Sequence, residues 1–395
     1  MNTQQIIELT DNNILGTYPR FPVAFTSGKG ATLRDADGKE YIDLASGLGV
    51  NSIGCANPAW INAVTEQAAK LAHVSNLYYT EPMARLAEQL TQRAGMSAVF
   101  FANSGAEANE GLIKLARKYS YEQFGSHNRH MILSLQNSFH GRTITALEAT
   151  GQEKFHGYDF FPYTGGFKYV QPGSVDAVKA ACSDGSVCAV LIELIQGEGG
   201  VYPLPKDYVQ RLAEFCNEND ILLLVDEVQT GIGRTGTLFA FQQYGIAPDA
   251  ISFAKGIGGG LPLGGFLVSD KVRGILRTGD HGSTFGGNPI CCAGALAVLN
   301  ILSDVQLAEV TRKGEKIRRT ILSWNSPHIA EIRGFGLMLG IELSGLSPRD
   351  TAAKLLEDGA VTLTAGTNTL RLLPPLTITD TELERGLGLI KQALR

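Results

Sequence analysis

The sequence predicts an α/β protein with a mostly parallel sheet covered by helices on both faces, together with a second, smaller α/β lobe. Apolar runs of strand length alternate with helical stretches through the middle of the chain, which is typical of a parallel sheet. The run Leu222–Val225 is apolar throughout, as expected of a strand buried on both faces, and Asp226 follows it directly. This pattern places a carboxylate at the carboxyl edge of the sheet, where open α/β folds bind ligands.

Each element is predicted from its residue pattern. Residues 23–44 alternate apolar and polar side chains around an Asp-Gly pair, which predicts a small antiparallel β unit. Helical periodicity runs from about residue 59 to Leu90. The strands predicted for the sheet are Ala98–Ala102, Met131–Leu135, Val187–Ile192, Ile221–Val225 and Ala250–Phe253. The other predicted helices are 107–119, 206–219, 291–302 and 305–322, and the short C-terminal strands are 336–343 and 369–373.

Composition and charge exclude several classes of function. Of the 395 residues, 44% are hydrophobic and 18% are charged, so the chain can bury a large core. The formal net charge of −5, without a basic stripe, argues against nucleic-acid binding. The amino end lacks the pattern of a signal peptide, and no apolar run is long enough to span a bilayer, so we expect a cytoplasmic protein with no membrane partner. The six cysteines and seven histidines show no zinc spacing, and we expect no metal site.

Lys255 follows the predicted strand Ala250–Phe253 and is expected near Asp226. A carboxylate can pair with the pyridine nitrogen of pyridoxal phosphate, and a lysine amine can form a Schiff base with the aldehyde of that cofactor. Taken alone, the two residues are explained equally well by a buried ion pair.

The segment 99–117 runs from a strand through a Ser-Gly turn into a helix. Ser104 and Glu107 have the spacing of a capping box. The free N–H groups of Gly105 and Ala106 at the helix start can hold a phosphate without a basic side chain. Every capped helix shares these features, so the capping box alone is weak support for a phosphate site.

Phe139, His140 and Arg142 follow another predicted strand end. A phenyl ring at this edge can stack on a planar cofactor, and an arginine can hold a carboxylate through two hydrogen bonds. A core phenylalanine and a solvated arginine are the alternatives. His140 is interpreted as a neighbour of the ring and not as a catalyst.

Glu198 lies in a glycine-rich turn, and Arg371 lies inside an apolar strand. A buried arginine requires an anion, which a substrate or an internal ion pair would supply equally well. A glutamate in such a turn can pair with an arginine or can simply cap the turn. The hydroxyls of Ser283 and Thr284 can bind phosphate oxygens, unless their segment is a plain loop.

In this order, the segments resemble those of the class III aminotransferases, which are fold-type-I pyridoxal phosphate enzymes acting on terminal amino groups. The resemblance covers nearly the whole chain, and within the class it is closest to the acetylornithine aminotransferases. The segments that carry it are TYPRFPVAF at 17–25, HVSNLYYTEP at 73–82, NSGAEANE at 103–110, FHGRT at 139–143, IQGEGGV at 195–201, VDEVQTGIGRTG at 225–236 and GSTFGGNP at 282–289.

The resemblance implies an architecture as well as a cofactor. A large domain, residues 56–288, would contain a seven-stranded sheet and bind pyridoxal 5′-phosphate. Residues 289–395 would form the small domain, and the N-terminal segment 1–55 would pack with it. The protein would be a homodimer whose active sites are shared between subunits.

The resemblance also implies roles for individual residues. Lys255 and Asp226 would be catalytic, the first by covalent attachment to the cofactor and the second by pairing with its ring nitrogen. The other cofactor contacts would be Ser104, Gly105, Ala106, Phe139, His140, Val228, Gln229 and, from the other subunit, Thr284. The substrate would be bound by Arg142, Glu198, Ser283 and Arg371. Glu198 would mask the charge of Arg371 when the amine donor enters and release it for the dicarboxylate.

The reaction implied is transfer of the terminal amino group of N2-acetylornithine to 2-oxoglutarate in arginine biosynthesis. A second activity on N-succinyl-diaminopimelate in lysine biosynthesis stays open. Succinylornithine and ornithine aminotransferases are the alternative, because they share most of these segments. A nicotinamide-dependent oxidoreductase is a remote alternative based on GIGRTG at 231–236, which five residues separate from the preceding strand.

Overall fold

The computed structural model describes residues 1–157 and 159–395. In chain order, the strands are β1 (Phe25–Lys29), β2 (Thr32–Asp35), β3 (Glu40–Asp43), β4 (Ala98–Ala102), β5 (Met131–Leu135), β6 (Phe167–Val170), β7 (Val187–Ile192), β8 (Ile195–Gln196), β9 (Tyr202–Pro203), β10 (Leu222–Asp226), β11 (Ala250–Phe253), β12 (Gly264–Val268), β13 (Ile329–Phe335), β14 (Met338–Leu343), β15 (Ala360–Val361), β16 (Leu363–Ala365) and β17 (Thr369–Leu372). The helices are α1 (Thr3–Asn13), α2 (Ser46–Gly49), α3 (Pro58–Lys70), α4 (Glu81–Ala94), α5 (Gly105–Phe124), α6 (Ile144–Ala149), α7 (Glu153–His156), α8 (Val175–Cys182), α9 (Lys206–Glu218), α10 (Phe241–Tyr244), α11 (Pro289–Ile301), α12 (Asp304–Leu322), α13 (Pro348–Asp358) and α14 (Asp380–Ala393).

A seven-stranded sheet with the order β4-β12-β11-β10-β7-β5-β6 forms the centre of the protein. Neighbouring strands are parallel except at β12, which is antiparallel to β11 and β4. Every residue of β7 and β10 is buried, as their uninterrupted apolar runs predict. The predicted α/β class and the mostly parallel sheet are confirmed. The parallel strands β5, β7, β10 and β11 therefore bring their carboxyl ends to one edge.

Two strands of this sheet were not predicted, β6 because it is short and β12 because it begins with two glycines. β6 is only four residues long and contains a lysine. β12 begins with Gly264 and Gly265, which favour a loop in a sequence-based prediction. These glycines allow a close backbone approach, since a Cβ atom on Gly264 would lie 2.8 Å from the carbonyl oxygen of Ser104.

The helical stretch predicted from residue 59 to Leu90 is divided into α3 and α4. Pro82 lies in the first turn of α4, where its missing N–H is not needed, whereas the same proline inside one long helix would break the hydrogen-bond ladder. The connection 71–80 therefore leaves the helix axis. Helix α1 was also missed, because it has no buried residue and hence no strong apolar stripe.

The C-terminal part forms a second sheet with the order β13-β14-β17-β16, against which α12 and α13 pack. The N-terminal strands β1, β2 and β3 form the antiparallel unit predicted for residues 23–44, and β3 continues this sheet by pairing in parallel with β15. The N-terminal segment is thus joined to a C-terminal strand. The domain boundaries at residues 55 and 288 stay a prediction.

Within the described ranges, no single helix is both long and apolar enough to cross a membrane. Helices α11 and α12 meet that criterion only as a pair, and the chain bends by 70° between them.

Candidate active site

A cavity of about 440 Å³ opens at the carboxyl edge of the seven-stranded sheet. Predicted site residues that line it are Ser104, Gly105, Ala106, Phe139, His140, Arg142, Asp226, Val228, Gln229 and Lys255. The predicted residues that lie outside its wall are Glu198, Ser283, Thr284 and Arg371. The cavity therefore collects the side chains that follow β4, β5, β10 and β11.

The amino end of α5 forms one wall of the cavity. Ser104 caps the helix by accepting a hydrogen bond from the Glu107 N–H (3.2 Å). The Glu107 carboxylate in turn accepts a hydrogen bond from the Asn103 N–H (3.0 Å). The N–H groups of Gly105 and Ala106 have no acceptor inside the helix, because the first turn never supplies one. A Cβ atom on Gly105 would lie 2.7 Å from Cγ1 of Val228, so glycine lets this wall approach β10. The wall can hold an anion through backbone N–H groups.

Asp226 is buried at the end of β10, and three donors fix its carboxylate. Oδ2 accepts hydrogen bonds from Nδ2 of Asn109 (2.7 Å) and from Nδ1 of His140 (2.8 Å), while Oδ1 accepts from the Val228 N–H (3.0 Å). With an ionised Asp226, the imidazole carries its proton on Nδ1. His140 is therefore a neighbour of the carboxylate, and its place beside the cofactor ring stays a prediction.

Asn109 was not predicted as a site residue. It occupies the first position of the buried stripe that Leu112, Ile113 and Ala116 continue along α5. A polar side chain enters such a stripe only with hydrogen-bond partners, and this spacing is the signal that could have identified it.

Lys255 begins a short 3₁₀ helix directly after β11, with a φ angle of 47°. This left-handed conformation is uncommon for a residue with a side chain and is typical of functional sites. Asp226 pairs in register with Ser252, three residues before Lys255, so the two functional groups lie at neighbouring strand ends as predicted. Burial lowers the pKa of the Lys255 ammonium from its ordinary value, which favours the neutral amine.

Glu198 and Arg371 form an ion pair beside the cavity, with 2.6 Å between Oε1 and Nη1. Gln229, which lines the cavity, accepts a hydrogen bond from the same Nη1 (3.0 Å). Arg371 is 1% exposed. Burial raises the pKa of Glu198, but the charge and hydrogen bond of Arg371, together with Lys255 and Gln229, outweigh this effect, and the net pKa lies below its ordinary value. The buried guanidinium thus has an anionic partner within the chain.

Glu193 is a second residue that was not predicted. Its Oε2 accepts a hydrogen bond from the Phe139 N–H (2.8 Å) and its Oε1 accepts from the Gly197 N–H (3.3 Å). Burial raises the pKa of Glu193 to about 8, and the carboxylate of Asp226 adds to this rise. Glu193 comes directly after β7, so the same strand-end rule that identified Asp226 could have found it.

We expect Glu193→Gln to make the unfolding temperature of the cofactor-free protein less sensitive to a rise in pH between about 4.5 and about 8. The raised pKa means that the folded wild type binds a proton which the unfolded chain has lost, so its stability falls as pH rises from about 4.5 to about 8. One proton corresponds to a slope of about 1.4 kcal/mol per pH unit in the free energy of unfolding. The amide cannot titrate. In melting curves at pH 5.5, 7 and 8.5, the unfolding temperature of the variant should rise relative to that of the wild type as the pH increases.

Glu357→Gln is the matched control, because Glu357 is exposed on α13. Its difference from the wild type should not vary over this pH range. A Glu193→Gln difference that is the same at all three pH values would show that Glu193 holds no extra proton in the folded protein.

Of the remaining predicted site residues, Arg142 lines the cavity, whereas Ser283 and Thr284 lie outside its wall. Arg142 is exposed, and its guanidinium carbon lies 5.6 Å from the centre of the Phe139 ring and 4.4 Å from that of Phe155. Ser283 Oγ accepts hydrogen bonds from Nδ2 of Asn103 (3.2 Å) and from the Gly286 N–H (2.9 Å). Thr284 is exposed and does not reach the cavity of its own chain.

The donor set fits a phosphorylated pyridine aldehyde. Lys255 offers an amine and Asp226 a carboxylate, while Gly105 and Ala106 offer N–H groups for a phosphate, all in one cavity. Phe139 lines the same space and can cover a planar ring. An ion pair alone explains only the first two of these features.

Comparisons with known proteins agree with this geometry. Residues 16–394 match the family described as Aminotransferase class-III. The acetylornithine aminotransferase of Haemophilus ducreyi is 51% identical over 100% of this chain and 99% of its own length, and that of Caldanaerobacter subterraneus is 44% identical over 96% and 97%. The solved N-acetylornithine aminotransferase of Stenotrophomonas maltophilia has a TM-score of 0.85 at 36% identity, covering 98% of each chain. The ornithine aminotransferase of Toxoplasma gondii, crystallised with partial occupancy of PLP at its active site, has a TM-score of 0.95 at 32% identity, covering 100% of this chain and 94% of its own.

Proposed function

Since this chain belongs to the class-III aminotransferases, we propose that it transfers the terminal amino group of N2-acetylornithine to 2-oxoglutarate, giving N-acetylglutamate 5-semialdehyde and glutamate. Its cofactor is pyridoxal 5′-phosphate. The Haemophilus ducreyi acetylornithine aminotransferase, which is 51% identical over the full length, supports the choice of donor, and arginine biosynthesis is the pathway to which such an enzyme contributes. We further propose that it acts in the cytoplasm.

The Glu198–Arg371 pair carries this proposal. The donor reacts at a carbon without a carboxylate, whereas 2-oxoglutarate brings a carboxylate next to its reacting carbon. While Glu198 lies 2.6 Å from Arg371, the charge of the guanidinium is neutralised, and the site can accept the donor. Once Glu198 moves away, the free guanidinium can bind the carboxylate of 2-oxoglutarate. We assign the distal carboxylate of either substrate to Arg142 at the cavity mouth, with Ser283 beside it.

The mechanism follows from the placement of the side chains. When bound, pyridoxal phosphate supplies an aldehyde that takes up the amino group and a ring that accepts the electron pair left at the substrate carbon. Asp226 would hold positive charge at the ring nitrogen, and Asn109 and His140 keep the Asp226 carboxylate in place. Lys255, whose pKa is lowered by burial, would take the proton from the substrate carbon and return it to the cofactor. Gln229, which lines the cavity, would hold the ring hydroxyl.

A homodimer is part of the proposal. Leu77, Tyr78 and Tyr79 are 85%, 65% and 102% exposed, and Phe285 is 61% exposed. Asn76 links the two segments by donating hydrogen bonds to the carbonyl oxygens of Ser283 and Gly286. An exposed patch of large apolar side chains next to Thr284 supports the binding of a second copy of the chain to this face. Thr284 would then contact the cofactor of that second copy.

Ornithine is the second candidate donor, because an ornithine aminotransferase shares this fold. The nicotinamide alternative has no support in the geometry. Gly233 packs toward Leu307 and Leu376, where a Cβ atom would lie 2.9 Å and 3.2 Å from their methyl groups. Arg234 is buried and donates to two carbonyl oxygens, so the GIGRTG segment joins two parts of the protein and opens no nucleotide site.

The test is a series of single half-reactions on the cofactor-loaded protein. N-acetylornithine, N-succinylornithine, ornithine and 4-aminobutyrate are added separately, without acceptor, and the loss of the visible absorbance of the cofactor is followed. We expect kcat/KM for N-acetylornithine to exceed that for ornithine by at least about tenfold, which is about 1.4 kcal/mol of transition-state binding. The control donor is 4-aminobutyrate, which lacks the acylated end. A preference for ornithine would mean that ornithine is the donor and N-acetylornithine is not. No absorbance change with any donor would contradict amino transfer itself.

A further inference from the structure

The turn that carries Glu198 is held by its backbone. It joins β8 to β9, which pair through Ile195 with Pro203 and Gln196 with Tyr202. The Glu198 carbonyl oxygen accepts a hydrogen bond from the Gly366 N–H (2.9 Å), which lies between β16 and β17. The turn is therefore fixed to the second sheet, which also carries Arg371.

Arg333 on β13 joins both sides of this arrangement. Its Nε donates to the carbonyl oxygen of Gly200 (3.0 Å) in the turn, and its guanidinium carbon lies 3.7 Å from the centre of the Tyr202 ring on β9. Its Nη2 donates to Oγ1 of Thr369 (2.9 Å) on β17, two residues before Arg371. One guanidinium thus contacts both backbone segments that carry the Glu198–Arg371 pair.

The charge of Arg333 is compensated away from the cavity. Arg333 is 5% exposed, and its Nη1 forms ion pairs with the carboxylates of Glu331 (2.9 Å) and Glu342. A buried guanidinium with two carboxylates and three further contacts is a rigid group. None of these contacts is with a residue to which the transfer reaction assigns a role.

The register of the sheet places Arg333 and Arg371 in one row. Both pair with Gly340 of the intervening strand β14, from opposite sides. Residues opposite one another on neighbouring strands point to the same face, so both arginines face the turn. A Cβ atom on Gly340 would lie 2.9 Å from Cβ of Val201, so only glycine lets the turn rest between the two arginines.

We propose that Arg333 is a positioning residue that holds Glu198 against Arg371 and thereby sets the preference of the site for an amine donor without a carboxylate at its reacting carbon over glutamate. This inference rests on the proposed function. Without the Arg333 guanidinium, the turn loses the hydrogen bond at Gly200 and the stacking contact at Tyr202. The ion pair between Glu198 and Arg371 is then formed for a smaller fraction of the time. An unmasked Arg371 then repels the ammonium end of the donor and accepts the α-carboxylate of glutamate.

The test compares Arg333→Met with the wild type in separate half-reactions with N-acetylornithine and glutamate. We expect the ratio of the two kcat/KM values to shift toward glutamate by about tenfold, the effect of one charge-assisted hydrogen bond. Glu331→Gln is the control, because it removes an exposed partner and leaves the contacts with Gly200 and Thr369 intact. Equal changes for both donors, or no change, would overturn the proposal.

A second readout is independent of activity. Hydrogen exchange of the peptide spanning residues 194–204 in the cofactor-free protein should be faster in Arg333→Met than in the wild type and unchanged in Glu331→Gln. Unchanged exchange in Arg333→Met also contradicts the proposal. If Arg333→Met does not fold, Thr369→Val removes one acceptor without changing the volume and should shift the donor ratio severalfold in the same direction; an unshifted ratio refutes the role. A wild type that does not use N-acetylornithine would refute the proposed function, while the exchange experiment would still test the contact.

Discussion

Replacing Lys255 with alanine is expected to lower kcat by more than about 10⁴-fold, the upper range for a positioned proton-transfer group. Lys255 lines the same cavity as Asp226, and burial lowers the pKa of its ammonium, which makes the neutral, proton-accepting amine easier to form. Steady-state rates at saturating cofactor measure the loss. A small primary amine added to the variant should restore part of the rate, because it replaces the missing proton acceptor.

Lys354→Ala, which removes an exposed lysine from α13, is the control and should retain the wild-type rate. Borohydride treatment of the cofactor-loaded protein provides a second measurement. It should fix the cofactor to the wild type and to Lys354→Ala but not to Lys255→Ala, as read by intact mass. A Lys255→Ala enzyme with more than about one hundredth of the wild-type kcat would contradict the assigned role.

Asp226→Asn is expected to reduce kcat by about 10²- to 10³-fold while leaving most of the cofactor affinity, because the change removes a charge and almost no volume. The carboxylate accepts three hydrogen bonds, and an amide can accept those from Asn109 and His140 through its oxygen. Its NH₂ group then faces the Val228 N–H, so a modest loss of stability accompanies the loss of rate. Cofactor titration and kcat, measured on the same preparation, separate the two effects.

Asp249→Asn provides the matched comparison. Asp249 precedes β11 at the opposite edge of the sheet and accepts a hydrogen bond from the Leu223 N–H (2.8 Å). Its replacement should affect stability and leave kcat within about twofold of the wild type, because electrostatic effects on the cavity fall off with distance. An Asp226→Asn enzyme that loses cofactor affinity and rate together would mean that the carboxylate serves binding and not the reaction.

The central part of the site could be predicted because it depends on local sequence. Asp226 and Lys255 follow buried strands, and the parallel order of β10 and β11 brings their ends together. Glu193 obeys the same rule after β7, but its hydrogen bonds to the N–H groups of Phe139 and Gly197 depend on the tertiary structure. The spacing of Asn109 with the apolar residues of α5 places it on the buried face of the helix, but its partners Asp226 and His140 depend on the tertiary structure.

Other features depend on contacts that composition does not reveal. The pairing of Glu198 with Arg371 was predicted from the resemblance, but the role of Arg333 requires the register of β13, β14 and β17. β12 was missed because its two glycines are needed for close packing and also resemble a loop. The placement of Thr284 on a neighbouring subunit stays a prediction, since it concerns a second copy of the chain.

The glycines of β12 and of α5 have an implication for how this protein tolerates change over evolution. Gly264 lies against the backbone of Ser104, and Gly105 lies against Val228, so the cavity wall at the amino end of α5 rests on contacts to which these two positions contribute only backbone atoms. Residues of this kind cannot be conservatively substituted, because every available replacement adds atoms where none fit. Laboratory evolution of a new amino donor should therefore accumulate changes at Arg142 and around Glu198, while these glycines stay invariant in every active library member.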